Sequence, residues 1–95
     1  MSNQLSHKEI IEKTSEIVRR HRQERGLKNR PLSFVRFADE LSQFGQKVSY
    51  QTIKNWEDGV HAPDAVFLMR IVNKAPVHTW QHIFAGEILA LYTDE

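Results

Sequence analysis

The chain has 95 residues, 40% of them hydrophobic, which suits a single domain around one modest core. Its charged residues make up 26% and nearly balance, with 13 Lys plus Arg against 12 Asp plus Glu, so it lacks the composition of a disordered segment. The absence of cysteine excludes disulfides and thiolate metal sites, no run approaches membrane-spanning length and the opening residues hold no apolar signal core; a cytoplasmic protein is expected.

The net charge of +1 conceals an asymmetry. Residues 19–61 carry nine Lys or Arg against five Asp or Glu, whereas residues 62–95 carry two against four. A polyanionic partner, if the chain has one, is therefore expected to meet the middle.

In chain order, the first periodic segment spans residues 7–25. There Ile10, Ile11, Thr14, Ile17, Val18 and His21 recur at three- to four-residue spacing and predict an amphipathic helix. Ser6 followed by Glu9 fits a capping box at its start, and Gly26 is placed to take the left-handed conformation just past its end. Residues 27–32, with Asn29 and Pro31, read as a connector. A second helix starts after Ser33, an N-cap residue type, puts Phe34, Phe37, Ala38 and Leu41 on one face, and is expected to end near Phe44 or Gly45.

Residues 46–48 then form a turn, for which Gly45 offers a place to reverse, and Ser49 is the next N-cap. The third helix is short, residues 50–58, with Ile53 and Trp56 inward and Gly59 stopping it. Residues 61–63 make a loop, because Pro63 biases Ala62 away from helical angles. Asp64 caps a fourth helix carrying Val66, Phe67, Met69, Ile71 and Val72, which fades around Lys74 and Ala75. After Pro76, residues 77–92 form the last helix, with Trp80, Ile83, Phe84, Ile88, Leu91 and Tyr92 at helical spacing. The expected architecture is a compact, all-α, five-helix single domain without internal repeats.

The segment that points to function is the third helix. A helix that only filled a core would show a fuller apolar stripe. This one keeps Ile53 and Trp56 for anchoring and leaves Tyr50, Gln51, Thr52, Lys54 and Asn55 for other use. Gln and Asn pair bidentately with adenine, Lys donates to guanine acceptors, and Tyr touches a thymine methyl or donates to phosphate. These five residues are the candidate base-reading set for double-stranded DNA. The alternatives are a merely solvated helix face for Gln51, Lys54 and Asn55, Lys54 reaching a phosphate, and Tyr50 being partly buried. Ser33, Arg36, Lys47, Ser49 and His61 lie at helix starts and loops that would flank a groove and are the candidate phosphate contacts. Arg30, in its connector, is a further candidate for the minor groove.

Three stretches together resemble the lambda-repressor-like (Xre-type) helix-turn-helix family. They are residues 17–27, the Phe37-Ala38-Asp39-Glu40-Leu41 run, and Thr52-Ile53-Lys54-Asn55-Trp56-Glu57-Asp58-Gly59 followed by Pro63. The resemblance covers residues 17–72, and the run from Ile53 to Gly59 is its specific part. It implies a helix-turn-helix DNA-binding fold, close helix approach at Ala38, and an ion pair between Arg22 and Glu57. It also implies a transcription regulator, with repression as the default for so short a chain. The chain departs from the family pattern between Ala38 and Ile53 and across residues 28–32, both of which are longer here.

The residues of the last helix are too apolar for an exposed element and must cover something. Trp80, Phe84, Ile88 and Leu91 either pack on their own domain or form a homodimer face. The same face would serve an antitoxin-like or adaptor protein that binds a partner through its last helix. His78 and His82 have the i, i+4 spacing of zinc ligands, but no third ligand accompanies them, and a structural role is expected. No nucleophile elbow, phosphate-cradling glycine loop or paired-carboxylate cleft occurs. Neither an enzyme nor a cofactor or metal site is expected.

Overall fold

The computed structural model describes residues 5–44 and 46–93. Among them the chain is all-α, with α1 His7–Arg25, α2 Phe34–Leu41, α3 Tyr50–Glu57, α4 Ala65–Lys74, α5 Trp80–Thr93, and a short 3-10 turn at Ser42–Phe44. Four helix starts are closed by the residues whose types suit the task. Ser6 and Glu9 form the reciprocal capping box at α1, while Ser33, Ser49 and Asp64 accept from Arg36, Thr52 and Phe67 N–H at α2, α3 and α4. The fifth start differs from expectation. Residues 77–79 form a turn in which the Thr79 N–H and hydroxyl both donate to the Pro76 carbonyl, and Thr79 Oγ1 then accepts from the His82 N–H.

Helix ends show where glycine is needed. At α3 the chain closes in a Schellman motif: Gly59 has φ +76°, its N–H donates to Trp56, and the Val60 N–H donates to Asn55. At α1 the expected left-handed cap is absent, since Gly26 is extended at φ −89° and ψ −168°. Its requirement is proximity. Leu27 and Arg30 exchange two backbone hydrogen bonds, and the Leu32 N–H donates to the Arg22 carbonyl, which folds the connector back onto the end of α1. A Cβ on Gly26 would lie only 2.6 Å from Leu32 N and would also meet the Arg30 carbonyl oxygen.

The second helix also ends earlier than expected, at Leu41. The Ser42 hydroxyl donates back to the Ala38 carbonyl at 2.7 Å and accepts from the Val48 N–H at 3.0 Å, so one side chain pins both ends of the connection to α3. The stretch between Ala38 and Ile53 thereby contains the 3-10 turn and a connector that buries Val48. Gly45, expected as the reversal point, lies outside the described residues.

The helices close around one core built from Val18 of α1, Phe37, Ala38 and Leu41 of α2, Ile53 and Trp56 of α3, Leu68 and Ile71 of α4, and Phe84, Ala85 and Ile88 of α5. Helix α1 packs against α3 and α5, α2 against α3, and α4 most extensively against α5. The apolar face of α5 is used within the chain. Phe84 and Ile88 have no exposed surface, and Trp80 and Leu91 are half-buried against the same core. Phe37 meets Phe84 edge-on at 5.3 Å and Trp80 at 4.7 Å between centroids. The stripe that offered a homodimer or adaptor face is thus accounted for by packing on its own domain.

His82 has a structural role as well. Its Nδ1–H points at the carbonyls of Val72 and Ala75, 3.1 and 3.2 Å away, and so closes the C-terminal end of α4. Among the described residues no group of three or more His, Cys, Asp or Glu side chains is placed to hold a metal, and no helix is long and apolar enough to cross a membrane.

Two glycine substitutions are expected to act in opposite directions. Gly26→Ala forces backbone apart and should lower the denaturation midpoint. Gly86→Ala, on a helix position where an added Cβ meets nothing within 4 Å, should raise stability by about 0.5–1 kcal/mol. Urea unfolding followed by circular dichroism measures both.

Candidate nucleic-acid interface

Helix α3 is held by its inner face. Ile53 is fully buried, and Trp56 is buried with its ring edge-on to Phe67 of α4, centroids 5.7 Å apart. The third anchor is ionic. Arg22 of α1 forks onto Glu57 through Nε–Oε1 at 2.8 Å and Nη2–Oε2 at 2.9 Å, and the expected Arg22–Glu57 pair is present. The remaining Nη1 donates to the Leu32 carbonyl at 2.6 Å, and the guanidinium lies 3.9 Å over the Phe34 ring. The Glu57 backbone carbonyl also accepts from the Ser15 hydroxyl of α1. One arginine thereby ties α1, the entry to α2 and the end of α3.

Burial decides the weight of this pair. Exposed pairs contribute about 0–1 kcal/mol, whereas breaking a buried one costs about 3–5 kcal/mol, because the surviving charge is left without a partner. The Arg22 and Glu57 side chains are only 12% and 11% exposed, which places the pair near the second case.

The outer face of α3 carries the residues expected to read bases. Tyr50, Gln51 and Lys54 are exposed, while Thr52 and Asn55 are half-buried. They are organised by local bonds. Gln51 Nε2 donates to Asn55 Oδ1 at 3.1 Å, which aligns the two amides along one edge of the helix. Lys54 Nζ lies 2.8 Å from Asp58 Oδ2, and that hydrogen bond and charge hold the ammonium pKa above its ordinary value. With one ammonium donor on Asp58, Lys54 keeps two for an external acceptor.

The five candidate phosphate contacts fall into groups. Lys47 and His61 border one open depression, together with Gln46, Thr52 and Asp64, over a floor that includes Trp56 and Phe67. Ser49 belongs to the same end of α3 as its N-cap, with its hydroxyl 3.1 Å from that of Thr52. Ser33 and Arg36 border a different depression at the start of α2, shared with Arg25, Arg30 and Glu40. Arg36 is paired with Glu40 at 3.3 Å but its side chain is 71% exposed. Arg25 is the member of this group that sequence reasoning missed. It counts there as the last residue of a helix, and only the fold-back of residues 26–32 brings Arg30 beside it.

Comparison with known protein families, with curated proteins and with solved structures gave no match.

The Arg22–Glu57 tie yields a direct test. Glu57→Gln should cost on the order of 3 kcal/mol, and Arg22→Met combined with it should cost less than the sum of the single changes. Unfolding free energies of the four proteins in a double-mutant cycle give the coupling. Additive losses would mean that the pair does not act as a unit.

Proposed function

We propose that the chain is a sequence-specific double-stranded DNA-binding transcription regulator that represses by occupying its site. In this reading α2, the Ser42-clipped connection and α3 act as the helix-turn-helix that residues 17–72 resemble in the lambda-repressor-like (Xre-type) family. The observation that carries it is the division of α3. Its inner face is locked by Ile53, Trp56 and Glu57, and its outer face presents Tyr50, Gln51, Lys54 and Asn55 on a helix too firmly seated to wander. Rigid placement matters because base readout rewards correctly aimed donor and acceptor pairs with about 1–3 kcal/mol each.

The paired amides of Gln51 and Asn55 suit a purine edge, with the hydrogen bond between them exchanged for bonds to the base. Lys47, Ser49 and His61 at the start of α3, with Ser33 and Arg36 at the start of α2, take phosphates and set the register. The excess of basic residues in the middle of the chain supplies the sequence-independent attraction.

Selection of bound sequences from a random duplex pool, at two salt concentrations, tests the reading. The wild-type chain should enrich a defined site, with affinity falling steeply as salt rises. Gln51→Ala with Asn55→Ala should stay folded, since neither side chain supports the core, and lose discrimination at the positions it reads. Lys47→Ala should weaken binding to all sequences alike and make the salt slope shallower by about one. A pool that enriches nothing at low salt would overturn the proposal, and unchanged discrimination in the double variant would overturn the base-reading assignment.

A further inference from the structure

The surface between α1 and α5 holds a cluster centred on His21, a residue that the DNA reading does not use. His21 is buried, with its ring edge-on to Phe84 at 5.2 Å and tilted against Trp80 at 6.2 Å. Both ring nitrogens are engaged. Nε2 is 2.6 Å from Glu87 Oε1, and Nδ1 is 2.7 Å from an Arg25 guanidinium nitrogen. A carboxylate can only accept and a guanidinium can only donate, so the neutral ring must carry its proton on Nε2 and accept at Nδ1. Arg25 lies between this nitrogen and the Trp80 ring, its guanidinium carbon 5.4 Å from the ring centroid.

Adding a proton to this arrangement is selective. The bond from Nε2 to Glu87 is retained, because Nε2 donates in both charge states. The bond at Nδ1 cannot survive, since two donors would then face each other at contact distance. The ring is fixed by Phe84, Trp80 and Glu87, whereas the Arg25 side chain is a quarter exposed and free to turn outward. We propose that His21 is an acid-sensitive latch: neutral, it holds Arg25 against Trp80, and protonated, it expels Arg25 while keeping α1 tied to α5 through Glu87.

Every charged group around the ring bears on the balance. From α1, Arg20 reaches Glu87 at 2.5 Å and lies 3.4 Å from Nε2, and Glu24 is 3.7 Å from Arg25 and 4.0 Å from Arg20. From α5, Glu87 is the facing carboxylate, and from α2, Glu40 stands behind Trp80, accepting its indole N–H at 3.2 Å. Burial pushes the His21 pKa below the ordinary 6.5, against the opposing pull of Glu87, and the neighbouring guanidiniums push the same way as burial. The unfolded chain therefore takes up this proton before the folded one. The stability contributed by the neutral ring is complete above about pH 6.5 and declines as pH falls through the folded value. Arg25 also lines the depression with Arg30, Ser33 and Arg36, so its release reshapes that surface at the same acidity.

NMR titration of the intact chain between pH 8 and pH 4.5 tests the latch. At high pH the His21 ring should show the Nε2–H tautomer, and the Arg25 δ-protons should be shifted upfield by the Trp80 ring. On acidification the Arg25 shift should collapse with the same midpoint as the His21 ring, while the far-ultraviolet helix signal stays. In Arg25→Gln the His21 midpoint should move up, because the competing cation is gone. In Glu87→Gln it should move down. Arg25 shifts that do not follow His21, an unchanged midpoint in Arg25→Gln, or loss of helix at that midpoint would each overturn the proposal.

Discussion

The fork of Arg22 onto Glu57 is the constraint on which the rest of the structure depends. Few contacts reach across this many elements: the guanidinium begins on α1, closes on the last residue of α3, and spends its remaining donor on the carbonyl of Leu32, just before α2 begins. Glu57 is the last turn of a helix of only eight residues, which could not hold its shape alone. Anchoring its end ionically and its middle through Ile53 and Trp56 frees the other face from any structural duty. That freedom is what an outward polar surface requires.

The remaining helices complete the enclosure. The aromatic ring of the core, Phe37, Phe84 and Trp80, joins α2 to α5, and α5 lies along α1 and α4. Polar groups are woven into this wall and not excluded from it. Glu40 accepts from the Trp80 indole and pairs with Arg36, and its backbone carbonyl accepts from the buried Gln81. Tyr92 donates to the Pro63 carbonyl across the α3–α4 loop, which fastens the far end of α5. Each is a buried or half-buried polar atom with its partner supplied, as a small core demands.

Much of this was legible in the sequence because it is local. Ser6, Glu9, Ser33, Ser49 and Asp64 act on backbone within three residues of themselves, so residue type and spacing suffice to read them. The apolar periodicity likewise yielded five helices and the inward positions Ile53, Trp56, Phe37 and Phe84. What was not legible depends on contacts between distant residues. Gly26 reads in the sequence as a left-handed cap and is extended instead, because its requirement is proximity to backbone that arrives from residues 30–32. The early end of α2 rests on Ser42 meeting Val48, and the late start of α5 on Thr79 folding back on Pro76. For the outward face of α3 the residue types are readable, and the i, i+4 spacing of Gln51 with Asn55 and of Lys54 with Asp58 carries the signal for their pairing.

The two hydrogen bonds of the Ser42 hydroxyl, to Ala38 behind it and Val48 ahead, have a bearing on descent. They close the chain between those residues into a loop whose two ends meet at one atom. The orientation of α3 is then set by the clip and by its own anchors, and the loop's contour length drops out of the geometry. Sequence can be gained or lost within the clipped loop without re-aiming the helix that follows. A lineage could therefore lengthen this connection step by step while each intermediate kept the same presented surface, provided that a hydroxyl stayed at position 42.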